Sequence, residues 1–254
     1  MQRLSGKAAF ITGGGTGIGR ACALLFAQEG AKVAIAARRR EKLDAVAAEI
    51  SAGGGQALAV ECDVTRKDSV ELALRATEER FGGVHVVVNN AGAVHVGTAE
   101  ETSDDAWERT ISANLTGTFY VSRAALPVLR RAGGGSIVNI GSYLGLVALK
   151  QRVAYCAAKG GVTLLTKAMA LDHAHENIRV NCICPAIVET EMAKASISSA
   201  PDPAAYRKAR ESQIPLGRMG HPEDIAHLAL FLASDESSWI TGTAFPIDGG
   251  LTAY

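Results

Sequence analysis

Aromatic residues are scarce in this sequence, and long apolar runs are absent from it. Aromatic side chains make up 5% of the 254 residues. No uninterrupted apolar stretch reaches the ~18 residues that a membrane-spanning helix requires. The first seven residues, Met-Gln-Arg-Leu-Ser-Gly-Lys, contain no apolar core of the kind found in a secretion signal. The sequence therefore predicts a soluble, cytoplasmic protein without a membrane partner.

The sequence also lacks an excess of charge of either sign. Lysine and arginine together number 26, as do aspartate and glutamate, so the formal net charge is zero. Proteins that bind nucleic acids or anionic membranes commonly do so through a basic excess. The balance of charges gives no reason to expect either partner, which leaves a small molecule as the expected ligand.

Cysteines are few, odd in number and scattered among apolar residues. This pattern favours reduced thiols packed as small hydrophobic groups. The pair Cys182-x-Cys184 lies near His173 and His175, but the spacing matches no usual zinc pattern. Residues two apart in a strand point to one face, so the two thiols are expected side by side and without a metal.

The apolar segments alternate between two kinds along the whole chain. Short apolar runs predict strands at 7–12, 32–36, 57–62, 84–88, 136–140, 179–184 and 243–247. Segments with helical periodicity lie between them, including a long one at 104–129 and others at 154–174 and 222–232. This alternation predicts an α/β fold, a single domain over 1–254 with a doubly wound parallel sheet and helices on both faces. Ligands of such sheets bind beyond the carboxyl ends of the strands.

A glycine-rich turn follows the first predicted strand and opens the first predicted helix. The segment Gly13-Gly-Gly-Thr-Gly-Ile-Gly19 has a Gly-x-x-x-Gly-x-Gly spacing. Glycine allows a tight turn and a close approach of the backbone to a pyrophosphate, whose charge then lies at the helix N-terminus. A flexible turn is the alternative, but the other two Gly-Gly-Gly triplets open no helix. This position in the chain favours nucleotide phosphate binding by Gly13, Gly15, Thr16, Gly17, Ile18 and Gly19.

The end of the second strand predicts which nicotinamide cofactor is bound. In dinucleotide folds an acid at this point binds the ribose 2′-hydroxyl, whereas an arginine accommodates a 2′-phosphate. Ala37 occupies the place of the acid, and Arg38, Arg39 and Arg40 follow it. We predict NADP(H) rather than NAD(H), with Arg38 on the phosphate and Arg39 assisting. The alternative is that Arg39 and Arg40 only solvate the start of the next helix.

Polar residues also end the third and fourth predicted strands. Asp63 can accept a hydrogen bond from an adenine amino group, or it can cap a turn. The amides of Asn89 and Asn90 can lock neighbouring strands or line a ligand crevice. Asn114 falls inside the long predicted helix, where asparagine is unfavourable because it competes for backbone hydrogen bonds. The residue types alone provide no reason for it.

A tyrosine and a lysine four residues apart form the candidate reaction centre. In a helix, Tyr155 and Lys159 lie on one face, one turn apart. A positive charge near a phenol favours the phenolate and lowers the tyrosine pKa from about 10. A pKa of about 7 requires roughly 4 kcal/mol, which Lys159 and a second cation such as an oxidised nicotinamide ring can supply together. Ser142, at the end of the preceding strand, can donate a hydrogen bond to the same substrate oxygen.

Helical periodicity disappears between the sixth strand and the last helix. Residues 191–215 are mostly alanine, serine, proline and charged residues. A polar segment of this length inside a compact domain is typical of a lid or binding loop, with a disordered surface segment as the alternative. We predict a substrate lid at about 187–216, whose large apolar groups are Ile187, Met192, Ile197 and Tyr206.

In this order and spacing, the motifs resemble the short-chain dehydrogenase/reductase family over nearly the whole chain. The shared markers lie at 12–19, 63–64, 89–92, 114, 142, 155–159 and 185–190. The resemblance implies a seven-stranded Rossmann fold with a catalytic tetrad of Asn114, Ser142, Tyr155 and Lys159. It also implies that Asn114 holds a water that relays protons to Lys159, and that Lys159 binds the nicotinamide ribose.

The resemblance implies further cofactor contacts and an assembly. The contacts are Asp63, Val64, Asn90, Ala91, Gly92, Tyr155, Lys159, Pro185, the Val188 backbone and the Thr190 hydroxyl, the last two holding the carboxamide. The family's Pro-Gly at the end of the sixth strand is Pro185-Ala186 here. Because alanine resists positive φ, the sequence does not determine which backbone conformation Ala186 adopts. The family also implies a homotetramer, with the 104–129 helix and the Tyr155/Lys159 helix as interface faces.

The function implied is hydride transfer between a nicotinamide and a ketone or secondary alcohol. Residues 214–224 and the closing Ile-Asp-Gly-Gly resemble 3-oxoacyl-carrier-protein reductases, and also sugar and alcohol dehydrogenases of the family. Arg123, Arg130 and Arg131 are candidates for contacting an acyl carrier. We predict an NADP(H)-dependent carbonyl reductase similar to 3-oxoacyl reductases. The alternatives are an NAD-dependent sugar, polyol or alcohol dehydrogenase and a non-catalytic nucleotide-binding regulator, which would be expected to lack one of the tetrad.

Overall fold

The computed structural model describes residues 2–253, which form one parallel sheet with helices on both faces. The strands are β1 (Ala8–Thr12), β2 (Lys32–Ala37), β3 (Gln56–Glu61), β4 (Val86–Asn89), β5 (Gly135–Ile140), β6 (Ile178–Pro185) and β7 (Ala244–Ile247). The helices are α1 (Gly17–Gln28), α2 (Arg40–Ala52), α3 (Lys67–Phe81), α4 (Asp104–Ile111), α5 (Gly117–Arg131), α6 (Val153–His173), α7 (Glu191–Ser198), α8 (Pro203–Glu211) and α9 (Pro222–Ala233). The predicted fold class is confirmed.

The strand order is β3-β2-β1-β4-β5-β6-β7, and every neighbouring pair is parallel. The first three strands build outward from β1 in one direction, and the last four build outward from β4 in the other. Connections therefore leave the sheet in opposite directions at the β1–β4 boundary, which opens a crevice beyond the carboxyl ends of these strands. The glycine-rich turn follows β1, and Asn90 follows β4, so both meet at this crevice.

Both faces of the sheet are buried, which explains why the strands have continuous apolar sequences. Phe10 belongs to the core on one face, and its neighbour Ile11 belongs to the core on the other. Helices α1, α2 and α9 cover the Ile11 face, whereas α3, α5 and α6 cover the Phe10 face. Among residues 2–253, no helix is both long and apolar enough to cross a membrane.

The helix predicted over 104–129 is interrupted by one turn of π-helix. Residues Ser112–Thr116 form this wider turn between α4 and α5. The side chain of Asn114 lies within it and donates from Nδ2 to the Thr110 carbonyl at 2.9 Å and to the Ala93 carbonyl at 2.7 Å. Single π turns inside helices often mark functional sites. Here the turn directs Asn114 toward the loop that follows β4.

The predicted lid at 187–216 is largely helical and does not form the irregular loop that its composition indicates. Thr190 caps α7 by accepting from the Ala193 N–H at 3.3 Å, and Asp202 caps α8 by accepting from the Ala205 N–H at 2.9 Å. Pro203 occupies the first turn of α8, where its missing N–H is no loss. These helices of eight and nine residues bury no side chain and are rich in polar residues, so their caps were the clearest sequence signal.

Candidate active site

Asn90 fastens the glycine-rich turn to the end of β4. Its Nδ2 donates to the carbonyls of Thr12 at 3.0 Å and Gly13 at 3.2 Å. In return, the Thr12 hydroxyl accepts from the backbone N–H groups of Asn90 at 3.0 Å and Ala91 at 3.1 Å. The side chain of Asn90 therefore holds β1 and β4 together at the crevice, which is the strand-locking role that the sequence left open.

The glycine-rich turn is packed too closely to accept side chains. A Cβ at Gly19 would lie 2.3 Å from the Gly13 carbonyl oxygen and 2.5 Å from Asn90 Nδ2. Gly17 has a φ of +53°, and a Cβ there would lie 2.9 Å from Thr190 Cγ2. The first turn of α1 thus presents bare backbone to the crevice, and the predicted carboxamide contact Thr190 lies against it.

The N-terminus of α1 fits the pyrophosphate of a dinucleotide. The N-cap residue Thr16 makes no side-chain capping hydrogen bond, and the first turn holds no acidic residue. Helices α4, α7 and α8 are each capped by a side-chain oxygen, whereas α1, like α2, α3 and α6, is not. Unsatisfied N–H groups and the positive end of the helix dipole favour an anion at such a position. The hydroxyl of Thr16 is free to contact the same anion.

Of the three arginines after β2, Arg38 alone has no acidic partner within the described part of the chain. Arg39 lies 3.7 Å from Glu191 at the start of α7, and Arg40 pairs with Asp44 at 2.8 Å. These pairs are exposed, so each contributes little to stability. Arg38 is exposed and its charge acts on Asp63, across the crevice edge at the end of β3.

Asp63 caps a turn, which is one of the two roles that the sequence suggested for it. Its Oδ1 accepts from the Thr65 N–H at 3.0 Å and from the Thr65 hydroxyl at 2.8 Å. Partial burial raises the Asp63 pKa, but these hydrogen bonds and the charges of Arg38 and Arg66 outweigh burial and hold it below its usual value. The neighbouring Val64 packs against Gly117, where the π turn ends. The carboxylate of Asp63 thus stays ionised at the crevice.

Lys159 is a buried cation at the base of the site. Its side chain lies on α6, and only 5% of the residue is exposed. Nζ donates to the Ile140 carbonyl at 2.7 Å and lies 5.7 Å from the centroid of the Tyr155 ring. Burial lowers the Lys159 pKa to about 8, because the charged form loses hydration and no carboxylate of residues 2–253 lies within 4 Å. Lys159 therefore loses its proton at a lower pH than an exposed lysine does.

Tyr155 is held as a phenol by the protein itself. Burial raises its pKa to about 12, while the hydroxyl of Ser142 and the charge of Arg152 act in the opposite direction. Ser142 lies at the end of β5, where its Oγ accepts from the Leu144 N–H at 3.1 Å and leaves its own proton to donate. The value near 7 expected from the sequence assumed a nicotinamide cation in addition to Lys159. Without that cation, the surrounding side chains keep the Tyr155 phenol protonated.

Asn114 and Gly92 complete the space around Lys159. Asn114 is fully buried, and its Oδ1 has no hydrogen-bond partner among the described residues. A Cβ at Gly92 would lie 2.5 Å from that Oδ1 and 3.8 Å from Lys159 Nζ. A buried acceptor and an ammonium that share one small space fit a bridging water. Asn114 thus places an unpartnered acceptor in this space while its amide nitrogen donates to two backbone carbonyls, an arrangement that the residue types alone did not indicate.

The end of β6 brings the remaining predicted contacts to the crevice. The Ala186 N–H donates to the Ile247 carbonyl at 3.3 Å, and Val188 pairs with Gly220 in an isolated parallel bridge. The only non-glycine residues with positive φ in the described chain are Gln151 and Asn177. Ala186 therefore adopts an ordinary conformation, and its methyl group in place of the family's glycine causes no backbone strain.

Sequence reasoning did not connect four side chains with the reaction centre, two of which act on Tyr155 itself and two on its neighbour Tyr143. Two are arginines, at the start of α6 and in the last turn of α8, and two are tyrosines, after Ser142 and within α8: Arg152, Arg210, Tyr143 and Tyr206. The spacing of Tyr206 and Arg210 is the one between neighbours on a helix face. It would have linked these two residues to each other, but not to the reaction centre.

Known proteins resemble this chain over nearly its full length. A sequence profile described as Enoyl-(Acyl carrier protein) reductase matches residues 13–252. A 2,5-dichloro-2,5-cyclohexadiene-1,4-diol dehydrogenase from Sphingobium indicum is 44% identical over 249 residues, covering 98% of this chain and 97% of the relative. A trans-4-hydroxycyclohexanecarboxylate dehydrogenase from Sinomonas cyclohexanicum is 44% identical, covering 99% of this chain and 95% of the relative. A short-chain type dehydrogenase/reductase from Mycobacterium marinum has a crystal structure that superposes with a TM-score of 0.93 at 41% identity, covering 99% and 97% of the two chains.

Proposed function

Because the chain belongs to the short-chain dehydrogenase/reductase family, and is an oxidoreductase of alcohol and carbonyl groups, we propose that it transfers hydride between NADP(H) and a small ketone or secondary alcohol. The observation that carries this proposal is the convergence of Ser142, Tyr155, Lys159 and Asn114 at the carboxyl edge of the sheet. The presence of all four side chains disfavours a regulator that has lost its chemistry.

The cofactor is proposed to lie along the crevice. Its phosphates are assigned to the glycine-rich turn and the start of α1, its adenine to Asp63 and Val64, and its carboxamide to Val188 and Thr190. Further backbone contacts are assigned to Asn90, Ala91, Gly92 and Pro185. When bound, the nicotinamide supplies or accepts the hydride at C4. The fit of the uncapped α1 N-terminus to an anion supports this placement.

The side chains of the site are proposed to move the proton. In carbonyl reduction the Tyr155 hydroxyl donates its proton to the substrate oxygen, and the high pKa of Tyr155 keeps that proton available at neutral pH. The Ser142 hydroxyl donates a hydrogen bond to the same oxygen. A water held between Asn114 Oδ1 and Lys159 Nζ connects these two side chains. Through this water and Lys159, a proton returns to Tyr155. Alcohol oxidation runs through the same groups in reverse.

We predict that Arg38→Ala removes a preference for NADPH over NADH. The phosphate contact is charge-assisted, so its loss should weaken NADPH binding by about 10- to 100-fold while NADH binding changes little. Arg38 is chosen over Arg39 because Arg39 faces Glu191. Titration of protein fluorescence with each cofactor measures the effect.

Arg40→Ala is the matched control for this prediction. Arg40 carries the same charge two residues away but pairs with Asp44 on its own helix. We expect the Arg40 variant to bind both cofactors as wild type does. Equal affinity of wild type for NADPH and NADH would overturn the assignment of Arg38 and favour the alternative of an NAD-dependent sugar, polyol or alcohol dehydrogenase.

A free small molecule is favoured over a carrier-bound thioester as the substrate. Arg130 pairs with Glu176 at 2.8 Å, and Arg131 pairs with Glu78 at 2.7 Å. Arg123 lies over a phenylalanine ring at 4.8 Å. Two of the three arginines considered for an acyl carrier are thus paired with glutamates of the protein, which weakens the similarity to 3-oxoacyl-carrier-protein reductases as a guide to substrate.

The function is tested by following the absorbance of the reduced cofactor. Two cyclic alcohols, cyclohexanol and 4-hydroxycyclohexanecarboxylate, and the two corresponding ketones are suited to the assay, because one relative is named for such an acid. We expect cofactor-dependent turnover of at least one alcohol–ketone pair in both directions. Cofactor binding without turnover of these compounds, acyl thioesters, polyols or sugars would favour the regulator.

The protein is proposed to be a cytoplasmic homotetramer built from one domain per chain. Large apolar side chains are exposed on the helices predicted as interfaces: Trp107 on α4, Phe119 on α5, and Leu164 and Leu171 on α6. Leu171 is 82% exposed, and Leu164 lies seven residues earlier on the same helix face. Unusually exposed apolar surface of this kind is typical of a protein–protein contact. Light scattering at the mass of one chain would contradict the assembly.

A further inference from the structure

Two arginines lie beside the reaction centre without an acidic partner. Arg152 immediately precedes α6, three residues before Tyr155, and Arg210 lies in the last turn of α8 in the lid. Both are half-buried. No carboxylate of residues 2–253 comes within 4 Å of either guanidinium group. Partly buried charges of this kind call for an explanation, because they lose hydration without gaining a counter-ion.

Aromatic contacts hold Arg210 in place. Its Nη2 donates to the Tyr206 hydroxyl at 2.8 Å, and its guanidinium carbon lies 5.0 Å from the centroid of the same ring. Arg207, on the same helix, instead pairs with Glu189 and Glu211. Helix α8 therefore carries one neutralised arginine and one that is oriented by a phenol alone.

A strained turn holds Arg152 in the wall of an open cleft. The cleft is lined by 97–99, 148–153 and Cys156, the residue after Tyr155. Arg152 Nη1 donates to the Gln151 carbonyl at 2.8 Å, and Arg152 pairs with Gly97 in an isolated parallel bridge. Gln151 has a φ of +59°, which non-glycine residues rarely adopt. Such strain persists only where neighbouring contacts enforce it, and it often lies at functional sites.

Tyr143 links the two arginines in space. Burial raises the pKa of this phenol, and the positive charges of Arg210 and Arg152 both act against that rise. Arg152 acts in the same direction on Tyr155. The charge of Arg152 also acts on Tyr206, whose hydroxyl accepts from Arg210 at 2.8 Å. Since Tyr143 directly follows Ser142, and Arg152 lies three residues before Tyr155, the two arginines belong to one cluster beside these groups.

The remaining donors of the two arginines suit an anion. A guanidinium has five N–H donors, and residues 2–253 provide one hydrogen-bond acceptor for Arg152 and one for Arg210. A purely structural brace for the lid would be expected to use a carboxylate, as Arg207 does. Free, planar guanidinium donors match the geometry of a carboxylate oxygen pair.

We propose that the substrate is a hydroxy acid or oxo acid whose carboxylate, or a similarly compact anionic group, binds between Arg152 and Arg210. This proposal rests on the proposed function and narrows its substrate class from neutral ketones and alcohols to anionic ones. The anion lies away from the reacting carbon, because Ser142 and Tyr155 take the oxygen on that carbon.

Steady-state kinetics with a matched pair of substrates tests the proposal. Wild type should use 4-hydroxycyclohexanecarboxylate about 10- to 100-fold better than cyclohexanol in kcat/KM, as expected for charged hydrogen bonds. Arg152→Met and Arg210→Met should each lower this ratio about tenfold or more, chiefly through KM of the acid. Arg210→Lys should restore part of the ratio because it keeps the charge. Lys208→Met, which removes an exposed charge from the same helix, should leave the ratio unchanged.

A binding measurement keeps the proposal independent of turnover. Cyclohexanecarboxylate and its neutral carboxamide are titrated by calorimetry into the cofactor-saturated protein. We expect the carboxylate to bind at least about tenfold more tightly, and either arginine variant to remove the difference. This preference without turnover of any alcohol would overturn the proposed function but support the anion site. Equal binding of the two compounds, or equal losses for acid and neutral substrate in both arginine variants, would overturn the anion site.

Discussion

We expect Tyr155→Phe to lower kcat by about 10²- to 10⁴-fold while the cofactor still binds. The range is the usual contribution of a positioned general acid or base. The substitution removes one oxygen from a half-buried ring and leaves its packing in place, so the loss should reflect the missing proton rather than a changed fold. Single-turnover absorbance of the reduced cofactor measures the rate, and fluorescence titration measures cofactor affinity.

Tyr143→Phe provides the matched comparison. Tyr143 is also a half-buried phenol next to the reaction centre, but we assign it no proton. We expect its loss to reduce kcat by less than about tenfold, since it removes at most one neutral hydrogen bond. If Tyr155→Phe kept near-normal turnover, or if both variants lost activity equally, Tyr155 would not be the proton donor.

We expect Lys159→Met to lose at least about 100-fold in kcat/KM and also to change how stability depends on pH. Burial lowers the Lys159 pKa from 10.5 to about 8. At pH 7 the native protein therefore keeps a buried ammonium, at a cost of about 3 kcal/mol relative to an exposed one. Between about pH 8 and 10.5 the native state loses this proton while the unfolded chain keeps it. The stability of wild type therefore rises with pH through that window.

Urea unfolding at pH 7 and pH 9.5 measures this contribution. Because methionine does not titrate, the free energy of unfolding of wild type should rise by about 2 kcal/mol relative to Lys159→Met between the two pH values. Lys167→Met, which changes an exposed lysine of the same helix, should show no such difference from wild type. A pH-independent difference between wild type and Lys159→Met would mean that Lys159 keeps an ordinary pKa when folded.

The buried ammonium of Lys159 lowers the stability of the fold, and we attribute its presence to the reaction. A hydrophobic residue would suit the position better at neutral pH, since the ammonium has one hydrogen-bonded carbonyl and no carboxylate within 4 Å among residues 2–253. The lysine is useful only if its charge is used, at the cofactor ribose and at Tyr155 as proposed. Active sites commonly retain such destabilising groups.

The architecture could be predicted from the sequence because each strand and each long helix has its own characteristic pattern of apolar residues. Continuous apolar strands between amphipathic helices required a parallel sheet covered on both faces, and the structure confirms it. Helices α7 and α8 were missed for the opposite reason: they are short, rich in polar residues and bury no side chain, so no continuous apolar face marks them. Their caps, Thr190 and Asp202, were visible in the sequence but are weak signals without an apolar run beside them.

The sequence alone determined the fold class, the glycine-rich turn before a helix and the spacing of Tyr155 and Lys159. These features depend on neighbours in the chain. Only the tertiary structure decided that Arg38 has no acidic partner among residues 2–253 while Arg39 is paired, and that Asn114 Oδ1 and Lys159 Nζ border the same space at Gly92. It also decided that burial lowers the Lys159 pKa to about 8. It alone placed Arg152 and Arg210, 58 positions apart by their numbers, around the same phenol. Burial and charge depend on which distant segments meet, and no local pattern encodes that.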